Sequence, residues 1–253
     1  MLPMTAAAER PLAGRIAVVT GASRGIGRAA ALALAGAGAH IVAVARTQGA
    51  LEELDDAVGA AGSTATLAPF DITDSDAIDR LGAAINERWG RLDVLVGNAG
   101  ILGALTPLGH LPPKTWAQVM DVNVTANWRL IRSLDPLLRR SDAGRAVFVT
   151  SGAAHKARAY WGPYAVSKAA LDALVRTYAA ETETTAIRAM LLNPGPLRTA
   201  MRHQAMPGED PQTLRTPEDL APHFVRLASP GWTETGKLYD FPSDRVLAFQ
   251  PPA

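Results

Sequence analysis

The chain has 253 residues, 48% hydrophobic and 19% charged, and its 25 basic and 24 acidic side chains leave a formal charge of +1. This length and apolar content suffice for a sizeable core and exclude a disordered or fibrous chain, while the balanced charge argues against nucleic acid as the main partner, since such binders carry a clustered basic excess. No cysteine is present, which rules out disulfides, thiolate zinc sites and a cysteine nucleophile and fits a cytoplasmic location.

In chain order, Met1–Gly14 lacks the charged start and apolar run of a signal peptide. Ile16–Thr20 is a short β-branched run that predicts a buried strand. A glycine-rich turn and an Ala/Leu helix over 26–37 follow. The longest small-apolar run, Ala29–Ala39, is too short for a bilayer, so no membrane association is expected. Residues 41–44 predict a second strand, 50–60 a helix and 64–70 a third strand. The oxygen-bearing run Thr73-Asp74-Ser75-Asp76 predicts a helix start, with the helix reaching Trp89. Strands are expected over 92–96, 146–150 and 187–192, and helices over 114–139 and 163–182. Five prolines between Pro194 and Pro217 predict a loop or broken helices, and 237–241 predicts a short last strand. Apolar strands alternating with helices imply an α/β fold. The expectation is one doubly wound domain over 1–253 with a parallel sheet of about seven strands, and a ligand at the strands' carboxyl ends.

The turn after the first strand reads Thr20-Gly21-Ala22-Ser23-Arg24-Gly25-Ile26-Gly27. Glycines there permit a tight turn and close backbone approach, and the helix that follows aims free N–H groups at an anion. An ordinary strand–helix turn would use the same glycines, but placement directly after the first strand favours a dinucleotide. A site preferring NAD usually has an acid about 20 residues further on. Here the second strand ends in Ala45-Arg46-Thr47-Gln48, with no carboxylate before Glu52. Arg46 and Arg24 singly read as solvated surface arginines; together they suit a ribose 2′-phosphate and favour NADP(H) over NAD(H). Asp71, with Ile72 beside it, reads equally as an acceptor for the adenine amino group or as a loop-capping carboxylate. Asn98-Ala99-Gly100 ends the fourth strand, where small residues leave room for the cofactor.

Tyr164-Ala165-Val166-Ser167-Lys168 opens a helix, and its first and last residues share a face. A neighbouring ammonium lowers a tyrosine's pKa, so Tyr164 beside Lys168 suits proton exchange with a carbonyl or alcohol oxygen. Ser151 ends the fifth strand, at the glycine turn's edge of the sheet. Asn123 is a polar residue in an apolar helical stretch and calls for a partner. Singly, these residues read as a surface pair, a strand-end serine and a helix-bend asparagine.

Taken together, in this order and spacing, the TGxxxGxG run, Asn98-Ala99-Gly100, Asn123, Ser151, the YxxxK pair and Pro194-Gly195 resemble the short-chain dehydrogenases/reductases over about Leu12–Phe241. The resemblance implies a Rossmann fold and hydride transfer between NADP(H) and a small carbonyl or alcohol substrate. Tyr164 would be the general acid/base. Lys168 would tune it and bind the nicotinamide ribose, and Ser151 would orient the substrate oxygen. Asn123 would hold a water linking Lys168 to solvent. Pro194, Gly195, Leu197 and Thr199 would meet the nicotinamide end. It also implies a homodimer or homotetramer built on the helices from Lys114 and Pro163. Gly97 and Thr150 are minor departures. The run Tyr239-Asp240-Phe241-Pro242-Ser243-Asp244 replaces the family's usual glycine pair and counts against the tetramer, while Met201–Pro217 is similar to a bacterial subgroup. Trp161, Met201, His203 and Met206 are candidate pocket residues; His155 is given no such part. Arg198, Arg202 and Arg215 would suit a 3-oxoacyl thioester on an acidic carrier, against a steroid, sugar or small ketone. The rival from another class is an NADP(H)-binding sensor without turnover. No metal is expected, as the histidines lack ligand spacing.

Overall fold

The computed structural model describes residues 10–250; most of the Met1–Gly14 stretch lies outside them. The elements are β1 (Ile16–Thr20), α1 (Gly25–Gly36), β2 (His40–Ala45), α2 (Gln48–Ala60), β3 (Ala65–Pro69), α3 (Ser75–Trp89) and β4 (Val94–Gly97). Then come α4 (Pro113–Met120), α5 (Ala126–Leu138), β5 (Arg145–Val149), α6 (Ala153–Lys156), α7 (Gly162–Glu181) and β6 (Arg188–Asn193). The chain closes with α8 (Ala200–Ala205), α9 (Pro217–Ala228), β7 (Leu238–Asp240) and β8 (Arg245–Leu247).

These strands form one sheet in the order β3-β2-β1-β4-β5-β6-β7-β8. Alternate residues of β1 explain why helices cover both faces. Ala17 and Val19 pack with Leu34 of α1, Leu54 of α2 and Phe224 of α9. Ile16 and Val18 pack with Ile78 of α3, Leu130 and Leu134 of α5 and Leu171 of α7. The strand order reverses between β1 and β4, and a ligand crevice opens at the carboxyl ends of strands beside such a reversal.

Three features differ from the sequence expectation. The helix expected over 114–139 is interrupted by a π turn, Asp121–Thr125, between α4 and α5; the buried Asn123 side chain sits in it, pinned to other segments. The short helix α6 was not expected, being too brief for a periodic signal. The sheet has eight strands, and β8 pairs antiparallel with β7. A 3-10 turn over Phe241–Ser243, with Asp244 at φ 50°, reverses the chain there. The Tyr239 hydroxyl pins the reversal, 2.5 Å from both His223 Nδ1 and Asp244 Oδ1. The proline-rich stretch does form broken helices, α8 and a 3-10 turn over Pro211–Thr213.

Candidate active site

At the crevice, Thr20 Oγ1 accepts from the backbone N–H of Asn98 (2.9 Å) and Ala99 (3.0 Å) and donates to the Val96 carbonyl. Asn98 Nδ2 donates to the Thr20 carbonyl at 2.8 Å. The side chain of Asn98 therefore shapes the turn from behind. Gly27 must lack a Cβ, since one would meet the Gly21 carbonyl oxygen at 2.2 Å. Ile26 and Ile72 are packed against or within the core, so Ile72 offers the crevice its backbone rather than its side chain.

Helix α1 begins after Arg24 with no side-chain cap and no acid in its first turn, and α2 begins after Thr47 in the same state. Both leave backbone N–H groups free. Ser23, Arg24, Arg46, Thr47 and Ala50 line a cavity of about 290 Å³ between them. Two uncapped helix starts and two guanidiniums, with no carboxylate in the lining, fit a phosphate. Thr47 and Ala50 were not singled out from sequence, although the missing acid in the first turn of α2 was the signal. Asp71 does its capping work: Oδ1 accepts from the Thr73 N–H (2.9 Å) and hydroxyl (2.8 Å), and the backbone bond, aided by the hydroxyl, holds the carboxyl below its ordinary pKa. Its Oδ2 lies 3.8 Å from Arg46.

Further along the same edge, Val149, Thr150 and Ser151 each meet one residue of a single α7 face. Lys168 Nζ donates to the Val149 carbonyl at 2.8 Å. The Thr150 hydroxyl donates to Asp172 Oδ1. Ser151 faces the Tyr164 hydroxyl closely enough to oppose the rise in its pKa. Burial pushes Lys168 down to about 8, with Asp172 opposing the fall. Tyr164 corrects the sequence expectation: its pKa is raised, because burial outweighs the opposing effect of Ser151. Lys168 Nζ is 5.8 Å from the Tyr164 ring centre and spends its hydrogen bond on the strand. Tyr164 is therefore protonated at neutral pH.

Asn123 is fully buried. Its Oδ1 accepts from the Ile101 N–H, and its Nδ2 donates to the Ile101 carbonyl and to Ser167 Oγ, all at 2.9 Å. Ser167 in turn donates to the Tyr164 carbonyl at 2.8 Å. Both amide protons are thus spent on bracing α7 against the segment after Gly100, leaving one Oδ1 lone pair for a water. A Cβ on Gly100 would crowd Asn123 Oδ1 at 3.3 Å and reach Lys168 Nζ at 3.6 Å, so this glycine makes room for the buried ammonium.

Pro194, Gly195 and Leu197 carry the chain from β6 towards α8. Thr199 caps α8 by accepting from the Arg202 N–H, and its methyl group sits beside Gly25, which joins the α8 loop to the glycine turn. Tyr164 packs with Leu102 and Ala205 under Ala153, Trp161, Met201 and Met206, and Trp161 meets it edge-on with ring centres 6.2 Å apart. His203 lines a cavity of about 380 Å³ together with Thr199 and Met206. The three arginines considered for an acidic carrier are all engaged within the protein. Arg202 pairs with Glu209 at 2.5 Å, Arg198 donates to the Pro211 and Leu214 carbonyls, and Arg215 stacks on Phe241.

The doubly wound sheet, the phosphate-fitting turn and a buried Ser/Tyr/Lys cluster lie on one edge, as in a family of oxidoreductases. The family model for short chain dehydrogenases matches residues 15–210, and the chain belongs to the short-chain dehydrogenase/reductase family. The Escherichia coli oxidoreductase YciK is 38% identical over 89% of this chain and 91% of its own. A Shigella flexneri short chain dehydrogenase solved in complex with NADP is 37% identical, with a TM-score of 0.88 over 92% of this chain and 98% of that one. A Mycobacterium tuberculosis relative named as an NAD-dependent oxidoreductase is 36% identical over 87% of this chain and 91% of its own. Among the described residues, no helix is long and apolar enough to cross a membrane and no group of three or more ligating side chains is placed for a metal.

Proposed function

We propose that this chain reduces a small carbonyl compound with NADPH, with Tyr164 as the proton donor. The observation that carries the reading is the register of β5 against α7, which puts the Ser151 hydroxyl, the protonated Tyr164 phenol and the Lys168 ammonium together on the crevice edge. Arg24, Arg46 and the free N–H groups of α1 and α2 would hold the phosphates. When bound, the cofactor supplies the hydride to the carbonyl carbon. Tyr164 gives its phenolic proton to the substrate oxygen, which Ser151 also hydrogen-bonds. Lys168 stabilises the phenolate left behind. The apolar roof of Leu102, Trp161, Met201 and Met206 favours substrates with an uncharged, apolar body. The internal engagement of Arg198, Arg202 and Arg215 favours a free small molecule over a carrier-bound thioester.

The test of the reaction is NADPH consumption, followed by absorbance, against a panel of aldehydes and ketones. Turnover on apolar members supports the proposal; tight NADPH binding with no turnover across the panel favours a sensor. The cofactor choice has its own test. A charge-assisted bond contributes about 1.5–3 kcal/mol, and about 1.4 kcal/mol is tenfold in affinity. Arg46→Asp is therefore expected to weaken NADPH binding roughly tenfold to hundredfold while leaving NADH nearly unchanged. Equal loss for both cofactors would refute the 2′-phosphate role.

A further inference from the structure

On α7 the spacing of Tyr164 and Lys168 is repeated once more, at Asp172, on the same helical face. Asp172 is only 4% exposed. Its Oδ1 takes the Thr150 hydroxyl, while Oδ2 is buried without a hydrogen bond and has His155 Nε2 at 3.2 Å. A carboxylate so deeply buried is costly unless it answers a charge. The charges facing it are Lys168 and Arg176, one turn to either side on α7; α6 contributes the His155 imidazole and the residue after β5 only the neutral Thr150. His155 is half-exposed, its ring tilted against Phe249 at 5.9 Å, and Arg176 covers the other part of that phenyl group. The Asp172–His155 contact therefore runs from behind the buried ammonium to the surface.

We propose that Asp172, fixed by Thr150 and backed by His155, is a positioning residue that keeps Lys168 in its charged form. The inference rests on the reading of Lys168 as the partner of Tyr164. Removing the negative charge while keeping the shape leaves the ammonium uncompensated beside the Val149 carbonyl, and it then releases its proton more readily. His155 acts one step further out: its Nε2 faces the carboxylate oxygen that no hydrogen bond satisfies, on a carboxyl whose pKa burial raises.

The sequence makes a direct test practical, because it holds four lysines, Lys114, Lys156, Lys168 and Lys237. In protein labelled with 13C at the lysine ε-carbon, the Lys168 signal is assigned by its loss in Lys168→Arg and followed against pH without cofactor. Wild type is expected to titrate near pH 8. Asp172→Asn should lower that midpoint by about one unit, a tenfold loss of proton affinity, and His155→Gln should lower it by less. The same order should appear in the alkaline limb of kcat/KM. An unmoved Lys168 midpoint in both variants would overturn the inference. If Asp172→Asn does not fold, His155→Gln decides, since it alters a half-exposed ring. The titration needs no turnover, so its failure is separable from failure of the proposed function, which is read from Tyr164→Phe.

Discussion

Lys168 is the residue on which activity and stability pull apart. Burial lowers its folded pKa to about 8 from an ordinary 10.5, so between those values the unfolded chain binds more protons than the folded one. By linkage, Lys168's contribution to stability rises with pH across that window. The cost of burying the ammonium is present in full below pH 8 and is relieved above it. Catalysis needs the charge, so kcat/KM for reduction is expected to fall as pH rises through about 8. The contrast is checked by a kcat/KM profile beside urea unfolding of wild type and Lys168→Met at several pH values. A flat profile to pH 10 would contradict the role given to Lys168. The Tyr164/Lys168 pair was legible in sequence because helical spacing alone puts the two on one face. The direction of the Tyr164 shift was not, because depth of burial is a tertiary property. Thr150 looked like a trivial variant for the same reason: its hydroxyl matters only once β5 is set against α7.

Among the elements, the π turn over Asp121–Thr125 does the bracing. Hydrophobic periodicity runs through it unbroken, so the sequence suggested one helix; the interruption comes from three hydrogen bonds of Asn123 to segments distant in the chain. Asn123→Ala would strand the Ile101 N–H and carbonyl and free Ser167. An unsatisfied buried polar group costs about 1–3 kcal/mol, so an unfolding free energy lower by roughly 2–5 kcal/mol is expected in denaturant titration. A loss of catalysis with unchanged stability would instead assign Asn123 to the reaction itself. Helix α1, by contrast, was legible almost to the residue, since its start is dictated by the glycine turn. The hairpin of β7 and β8 was half visible. The missing glycine pair is plain in the sequence, but the strand that replaces it depends on Tyr239 reaching His223 and Asp244 across the fold.

At the scale of the molecule, the reversal of strand order between β1 and β4 gathers the phosphate-fitting turn, the Ser/Tyr/Lys cluster and the α8 roof along one edge. Helices α4, α5 and α7 leave Trp116, Trp128 and Val166 exposed at 37%, 44% and 41%. We expect these side chains to be covered in a homodimer, with light scattering after size exclusion giving twice the chain mass and Trp128→Glu giving a monomer. A wild-type monomer would remove that expectation without touching the site. The account as a whole turns on Tyr164 as the proton donor, and the most direct measurement is kcat/KM of Tyr164→Phe with NADPH and the best carbonyl substrate of the panel. General acid catalysis contributes about 10²–10⁴-fold, so a loss of that order with NADPH affinity retained is predicted. Turnover within a few-fold of wild type would contradict the account.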